Sequence, residues 1–347
     1  MALRRRNAPG TSLQVPGARP RAVIDDNGGI LPLSRLLTPP VWWTLAGGGA
    51  HGAVQLGTLQ AIRETDLEPE QLLGSSAGAL TGALIAEDPV AAVNRLFYLW
   101  ADLDLTDLVG GGWVGMVSPT SFTRSSLADN AGEMASLEEV YDARRFEDLV
   151  IPFGAVATDM ISGQPTVFDS GDLLPALLAS SAIPGVFPPV EIDGSYYIDA
   201  LASANLPASL AMRRGAGSIV AFDTGSSPDK TIGTSLQQLV PAVNALLSTQ
   251  QRISSLAQAA AEVPVLYLPT PADLPGSLSF NESFTTSRDS YLLARAFLLD
   301  LAAAYPTGSP ALEPGLYCRP DAFSIDSENL SRVVRPVPVR AAAGGAS

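Results

Sequence analysis

The chain has 347 residues, 46% of them hydrophobic, and a formal net charge of −14 at pH 7. This length suits one large domain or two smaller ones, and the apolar content is sufficient for a substantial core. The negative charge argues against nucleic-acid binding as a main task and against docking on anionic lipid by charge alone, because both surfaces are themselves negative.

Cysteine and histidine occur once each, which limits the disulfides, metal sites and catalytic triads that the chain can form. With Cys318 alone, one chain cannot form a disulfide framework or a cysteine-based metal site. The single histidine, His51, excludes zinc sites built on several histidines. An α/β-hydrolase triad places its histidine after the serine and the acid, and no histidine follows residue 51. A Ser-His-Asp triad of that order is therefore excluded.

The first 40 residues are predicted to be a disordered basic extension and a linker. Residues 1–24 carry five arginines, no acidic residue and no apolar stretch of the kind that a secretory signal needs. Residues 25–40 end at Pro39-Pro40, just before the first apolar run. Because no signal or spanning segment is found, we expect a cytoplasmic protein, with peripheral contact at a membrane left open.

Two glycine-rich turns follow, each placed between a short apolar run and a helical pattern. The first turn, Gly47–Gly52, separates a predicted buried strand at Val41–Ala46 from a predicted helix at Gly52–Glu64. The second turn, Gly74–Gly78, follows another apolar run and precedes a helix of small residues. A strand that ends at glycines and continues as a helix points backbone N–H groups from the positive helix end, where an anion binds.

The second turn has the pattern Gly74-Ser75-Ser76-Ala77-Gly78, which is G-x-S-x-G. Small neighbours at this spacing produce a sharp strand-to-helix turn and let the central hydroxyl project. Ser76 is therefore the candidate nucleophile, and the N–H groups of the first turn are the candidate donors to an oxyanion. The pattern alone is weak evidence, because loops of small residues produce it by chance.

Strands and helices continue to alternate as far as residue 305. The further predicted strands are Gln71–Leu73, Ile151–Thr158, Pro165–Phe168, Val190–Ile192, Tyr196–Ile198, Ser218–Phe222 and Val263–Leu268. The further predicted helices are Ala77–Ala86, Val90–Leu103, Glu133–Arg144, Leu173–Ser181, Leu206–Arg213, Ser235–Ala261 and Ser287–Ala304. This alternation predicts a layered α/β domain with a mainly parallel sheet over residues 41–305, interrupted by a Gly/Ser loop at 108–126. A Pro-rich irregular tail is predicted for 306–347.

The base for Ser76 is predicted to be a carboxylate, because His51 lies inside the first turn. Asp199 is the best placed, since it follows the predicted strand Tyr196–Ile198 where the chain changes direction, and sites of α/β sheets gather at such strand ends. Apolar and aromatic neighbours would raise its pKa from about 3.9 toward the working pH. Two alternatives stay open: Asp199 as a turn or helix cap, and His51 as the base, although its position favours a role in shaping the loop.

Several sequence blocks, taken together in their order and spacing, resemble the patatin-like phospholipases. They are Gly47-Gly48-Gly49-Ala50-His51-Gly52, Gly74-Ser75-Ser76-Ala77-Gly78, Ala157-Thr158-Asp159, the stretch Ala179–Pro189, and Tyr196-Tyr197-Ile198-Asp199 with Asn205-Leu206-Pro207. The resemblance covers about residues 41–225. It implies a three-layer α/β/α domain that hydrolyses acyl esters of lipids or phospholipids with no metal or other cofactor. It also implies Ser76 as nucleophile, Asp199 as base and the amides of Gly47–Gly52 as the oxyanion hole.

Two positions depart from the family pattern. His51 stands where the family usually has arginine or lysine, so a fixed positive charge is lost. Ala200 follows Asp199 where the family usually has glycine, and if that position needs a positive φ, alanine would cost on the order of 1–2 kcal/mol. These departures keep a second hypothesis open, a catalytically weak patatin-like protein that binds lipid or a partner.

A dinucleotide-binding protein is a more remote alternative. Gly47-x-Gly49-x-x-Gly52 after a strand also fits the dinucleotide fingerprint, which requires an acidic residue at the end of the next strand. That strand ends instead at Gly74-Ser75-Ser76. The sequence therefore favours an acyl hydrolase.

Overall fold

The computed structural model shows a central sheet with helices on both faces, which confirms the predicted α/β/α layering. The residues it describes are 30–102, 130–225, 236–274, 282–323 and 328–340. The predicted basic extension at 1–24 and the predicted loop at 108–126 lie outside them.

Within the described residues the sheet contains ten strands. In chain order they are β1 (Val41–Leu45), β2 (Gln71–Ser75), β3 (Phe153–Asp159), β4 (Pro165–Phe168), β5 (Val190–Ile192), β6 (Ser195–Asp199), β7 (Ser218–Phe222), β8 (Pro264–Leu268), β9 (Gly315–Cys318) and β10 (Val334–Pro336). Their order across the sheet is β10-β9-β8-β7-β1-β2-β3-β6-β5, with β4 also paired to β3. The strands from β10 to β3 pair in parallel, whereas β4, β5 and β6 form antiparallel pairs. The prediction of a mainly parallel sheet is confirmed.

The helices bury two separate cores against the two faces of this sheet. They are α1 (Gly52–Ile62), α2 (Ala77–Glu87), α3 (Ala92–Asp102), α4 (Asn130–Val140), α5 (Leu173–Ser181), α6 (Ala208–Arg213), α7 (Leu236–Glu262), α8 (Ser283–Ala304) and α9 (Glu328–Ser331). Buried residues of α1 to α5 and α8 join one core, and those of α6, α7 and α9 join the other. Side chains alternate along β1, so that Trp43 enters the first core and Trp42 the second. No helix among the described residues has both the length and the apolarity to cross a bilayer.

The predicted linker and tail are integral to the domain where the structure describes them. Leu33 and Leu36 are buried in the first core, and the amide of Leu312 donates to the carbonyl of Leu36 at 2.8 Å. β9 and β10 extend the sheet beyond β8. Sequence patterns did not predict these strands, because each has only three or four residues in a Pro-rich context. They form because the edge of β8 carries backbone groups that need hydrogen-bond partners.

Leu316, in β9, tests whether the C-terminal segment belongs to the core. Its side chain is fully buried in the second core, so Leu316→Ala should lower the free energy of unfolding by about 2–5 kcal/mol. Val339, 53% exposed in the same segment, is the control, and Val339→Ala should change it by less than about 0.5 kcal/mol. Urea denaturation measures both, and equal effects of the two substitutions would contradict an integral segment.

Candidate active site

Ser76 occupies a strained turn between β2 and α2. Its φ of 54° and ψ of −127° lie in a region that non-glycine residues rarely adopt. Both glycines of the motif are sterically required. A Cβ atom on Gly74 would lie 2.3 Å from the carbonyl oxygen of Gly78, and one on Gly78 would lie 2.3 Å from that of Leu45. The turn therefore depends on the G-x-S-x-G spacing.

The register of β3 brings Asp199 to Ser76. β2 ends at Ser75, which pairs with Val156 of β3, and the next residue of β3, Ala157, pairs with Asp199 of β6. Because β4 occupies the other edge of β3, β2 and β6 share one edge and their carboxyl ends meet there. The Ser76 side chain lies close enough to the Asp199 carboxylate to lower the pKa of Asp199. The two predicted catalytic residues are thus neighbours.

The environment of Asp199 suits a base. The side chain is 2% exposed, and its Oδ1 accepts the amide of Leu201 at 2.8 Å. Burial raises the pKa of Asp199 to about 7, and the hydrogen bonds from Ser76 and Leu201 limit the rise. The direction agrees with the prediction from its apolar neighbours.

Ala200, which follows Asp199, does not have the positive φ that would strain an alanine. Among the described non-glycine residues, positive φ angles belong to Ser76 and Asp193. Ala200 is fully buried and packs with Val156 and Ala204. The conditional cost of alanine therefore does not arise, and the methyl group fills space that glycine would leave empty.

The first glycine turn divides its six amides into two groups. Those that donate to backbone carbonyls belong to Gly47, His51 and Gly52. Within the described part of the chain, no intramolecular acceptor is found for the amides of Gly48, Gly49 and Ala50. The predicted range Gly47–Gly52 therefore contains three N–H groups that remain able to donate to a ligand.

This turn lies directly against the nucleophile. A Cβ atom on Gly47 would lie 2.8 Å from the Cβ of Ser76 and 2.7 Å from Oδ1 of Asn205. A Cβ atom on Gly48 would lie 2.3 Å from Oγ1 of Thr224. Glycine at both positions is what permits the close approach of the two turns.

His51 links the first turn to the end of β7. Its ring is buried, and Nδ1 lies 3.0 Å from the carbonyl oxygen of Gly225. A carbonyl only accepts, so Nδ1 carries the proton in this hydrogen bond. The contact supports the role of His51 in shaping the loop.

Residues beyond the predicted set also surround the dyad. The amide of Ser76 donates to Ser180 Oγ at 2.9 Å, and the Ser180 hydroxyl donates to the carbonyl of Val156 at 2.6 Å. Ser180 and Ser181 lie in the stretch Ala179–Pro189, one of the blocks that resemble the family, so the sequence marks them as candidate site residues.

Glu133, on α4, gave no signal in the sequence. The Ser181 hydroxyl donates to Glu133 Oε1 at 3.3 Å, and the buried Oε2 has no hydrogen-bond partner among the described residues. Burial and the charge of Asp199 raise the pKa of Glu133 to about 8, against the lowering effect of Ser181. No third His, Cys, Asp or Glu joins these two carboxyls as a metal-binding group among the residues that the structure describes.

Comparison with known proteins agrees with the resemblance seen in the sequence. Residues 44–212, just under half of the chain, match the family model described as patatin-like phospholipase. Patatin-like phospholipase domain-containing protein 7 of Rattus norvegicus is 32% identical over 198 residues, which cover 56% of this chain and 14% of that protein. The uncharacterized NTE family protein Mb1092c of Mycobacterium bovis is 35% identical over 174 residues, 47% of this chain and 42% of that protein.

The chain therefore spans less than half the length of either relative. Among solved structures, VipD from Legionella pneumophila aligns with 75% of this chain and 66% of its own, with a TM-score of 0.42 and 15% identity.

The raised pKa of Asp199 predicts a pH-dependent cost to stability. Between its ordinary value of 3.8 and about 7, the carboxyl ionises in the unfolded chain but keeps its proton in the folded one, so rising pH favours unfolding. Asp199→Asn removes this titration and should raise the free energy of unfolding at pH 8 by a few kcal/mol, at about 1.4 kcal/mol per pKa unit. The difference should shrink toward pH 4 in urea denaturation. A difference that stays constant with pH would contradict the shift.

Proposed function

We propose that this chain is a serine hydrolase acting on the acyl esters of lipids, because residues 44–212 match the family model described as patatin-like phospholipase. The observation that carries the proposal is the strand register that places Ser76 beside the buried Asp199 carboxylate, whose pKa the Ser76 side chain lowers. A nucleophile with an adjacent base is what an acyl-enzyme mechanism requires. The lipid substrate class is inferred from the family and from the names of the relatives.

The proposed reaction has two steps that use the same pair of residues. Ser76 Oγ attacks the ester carbonyl carbon while Asp199 takes its proton, and Asp199 then returns that proton to the leaving alcohol. The acyl group stays on Ser76 as an ester. Water attacks this ester, Asp199 takes the proton of the water, and the proton returns to Ser76 Oγ as the carboxylic acid leaves. A base with a pKa near 7 is suited to both proton transfers at neutral pH.

The oxyanion of each tetrahedral intermediate is proposed to bind the first glycine turn. The amides of Gly48, Gly49 and Ala50 support this role, because they precede α1 and have no acceptor of their own in the described structure. Gly47 lies against Ser76, so the turn is close enough to receive the carbonyl oxygen of a substrate. Each donor of this kind typically contributes about 2.7–4 kcal/mol to transition-state binding.

Contact with a lipid surface is part of the proposal. Phe97 of α3 lies 5.0 Å from Phe284 of α8 and 5.7 Å from Tyr98, measured between ring centroids, and all three rings are exposed. One turn further along α3, Trp100 packs against Gly52 at the start of α1. The exposed rings thus lie on the side of the domain that carries the first glycine turn. Apolar contact of this kind does not depend on the net charge of the chain.

Ester hydrolysis with matched serine variants tests the proposal. Ser76→Ala and Asp199→Asn should lower the rate on p-nitrophenyl acyl esters by roughly 10⁴-fold or more, because either change removes the activated nucleophile. Ser75 is the control, since its buried hydroxyl has no hydrogen-bond partner in the part of the chain that the structure describes, and Ser75→Ala should leave the rate within a few-fold. Circular dichroism checks that each variant folds.

Equal rates for wild type and Ser76→Ala would refute the hydrolase. The second hypothesis, a catalytically weak protein that binds lipid or a partner, would then stand. Loss of activity in Ser76→Ala with activity retained in Asp199→Asn would place the base elsewhere.

Glu133 should make the activity fall at alkaline pH. Its pKa of about 8 leaves it neutral at pH 7, and ionisation above pH 8 adds a second negative charge beside Asp199, which opposes the further negative charge of the tetrahedral intermediate formed on Ser76. Glu133→Gln keeps the shape without the charge, so kcat should stay within a few-fold of wild type at pH 7 and exceed it at pH 9.5. The pH profile of kcat measures this, and a loss above about 100-fold at pH 7 would show that Glu133 itself transfers a proton or binds substrate.

A further inference from the structure

A buried polar cluster lies behind the first glycine turn. Asp223 directly follows β7, Arg252 is on α7 and Tyr267 is in β8, and none of the three is more than 8% exposed. Arg252 Nη1 lies 3.1 Å from Asp223 Oδ2 and 3.3 Å from Oδ1, and the Tyr267 hydroxyl donates to Oδ2. One helix layer and two neighbouring strands of the sheet therefore converge on one carboxylate.

The same carboxylate fixes the turn that follows β7. Asp223 Oδ1 accepts the amide of Thr224 at 2.8 Å and that of Gly225 at 3.4 Å. Gly225 has a φ of 62°, and a Cβ atom there would lie 2.8 Å from a side-chain carbon of Leu274. The conformation of this turn thus depends on glycine and on the orientation of Asp223.

The turn that follows β7 is hydrogen-bonded to the first glycine turn at two points. The Thr224 hydroxyl donates to the carbonyl of Gly47 at 2.7 Å, and His51 Nδ1 donates to the carbonyl of Gly225 at 3.0 Å. The three amides that have no acceptor in the described structure, those of residues 48–50, lie between Gly47 and His51. The hydrogen-bonded connection therefore runs from Arg252 and Tyr267 through Asp223 to both ends of the proposed oxyanion hole.

We propose that Arg252 and Tyr267 are positioning residues, which act through Asp223 to hold the amides of Gly48–Ala50 at a fixed place beside Ser76. The inference rests on the proposed function. A buried ion pair is weak evidence of a gain in stability, because removing two charges from water offsets most of their attraction. A role in orienting the oxyanion donors explains why the cluster lies behind the first glycine turn. Misplaced donors weaken binding of the transition state more than binding of the substrate.

Tyr267→Phe and Thr224→Val test the two ends of this connection without adding bulk. Each removes one hydroxyl, the first from Asp223 and the second from Gly47. Each should lower kcat on p-nitrophenyl acyl esters at least tenfold while KM changes less than twofold. Because both act through one turn, the double variant should lose less than the product of the single losses.

The chain contains a second cluster of the same chemistry, which supplies the control. The Tyr291 hydroxyl donates to Glu64 Oε1 at 2.6 Å, and Arg295 Nε lies 3.1 Å from Glu64 Oε2. Glu64 follows the far end of α1, whose 11 residues span about 16 Å from the glycine turn. Tyr291→Phe should leave kcat within twofold of wild type.

Amide hydrogen exchange of the segment 47–52 gives a readout that does not require activity. Tyr267→Phe and Thr224→Val should each speed exchange of the bonded amides of Gly47 and His51 at least tenfold, and Tyr291→Phe should not. Unchanged exchange in both variants overturns the positioning role, whether or not the chain hydrolyses esters. An equal loss of kcat in Tyr291→Phe also overturns it. If exchange is faster in Tyr267→Phe and Thr224→Val, but Ser76→Ala hydrolyses esters as fast as wild type, the positioning role is retained and the hydrolase is rejected.

Discussion

The site depends on one edge of β3 being shared by two strands that run toward each other. β2 is parallel to β3 and ends at Ser75, and β6 is antiparallel and ends at Asp199, opposite the very next residue of β3. A shift of one residue between β6 and β3 would turn Asp199 to the other face of the sheet, and the same shift between β2 and β3 would turn Ser75, because side chains alternate along a strand. The contact between Ser76 and Asp199 is therefore set by backbone pairing, and the surrounding loops only refine it.

The features that suit the site to chemistry are unfavourable to folding. Ser76 holds a strained φ, and Asp199 and Glu133 are carboxyls kept from water, with pKa values raised to about 7 and about 8. Such groups persist where the surrounding structure determines their positions in several ways. Here the two cores on the faces of the sheet, the two sterically required glycines and the hydrogen bond from the Ser76 amide to Ser180 do so.

The two departures from the family pattern have different structural consequences. Ala200 has no positive φ and packs in a small buried cluster, so alanine fits its position. His51 replaces a fixed charge with a ring that hydrogen-bonds to Gly225, which joins the first glycine turn to the turn after β7. The buried pair of Asp223 and Arg252 lies behind the turn after β7. The order of the glycine turn thus relies on hydrogen bonds that reach into the other core.

Sequence patterns alone predict the layered α/β fold, the two glycine turns and the candidate pair of Ser76 and a carboxylate. These follow from local causes: apolar periodicity, the sterics of glycine, and a single histidine too early in the chain for a triad. Three-dimensional packing was needed to show which amides of the first turn are bonded, that Glu133 lies near Asp199, and that β9 and β10 extend the sheet. Those features depend on residues far apart in the chain that meet through packing and strand pairing, and neither composition nor periodicity records such meetings.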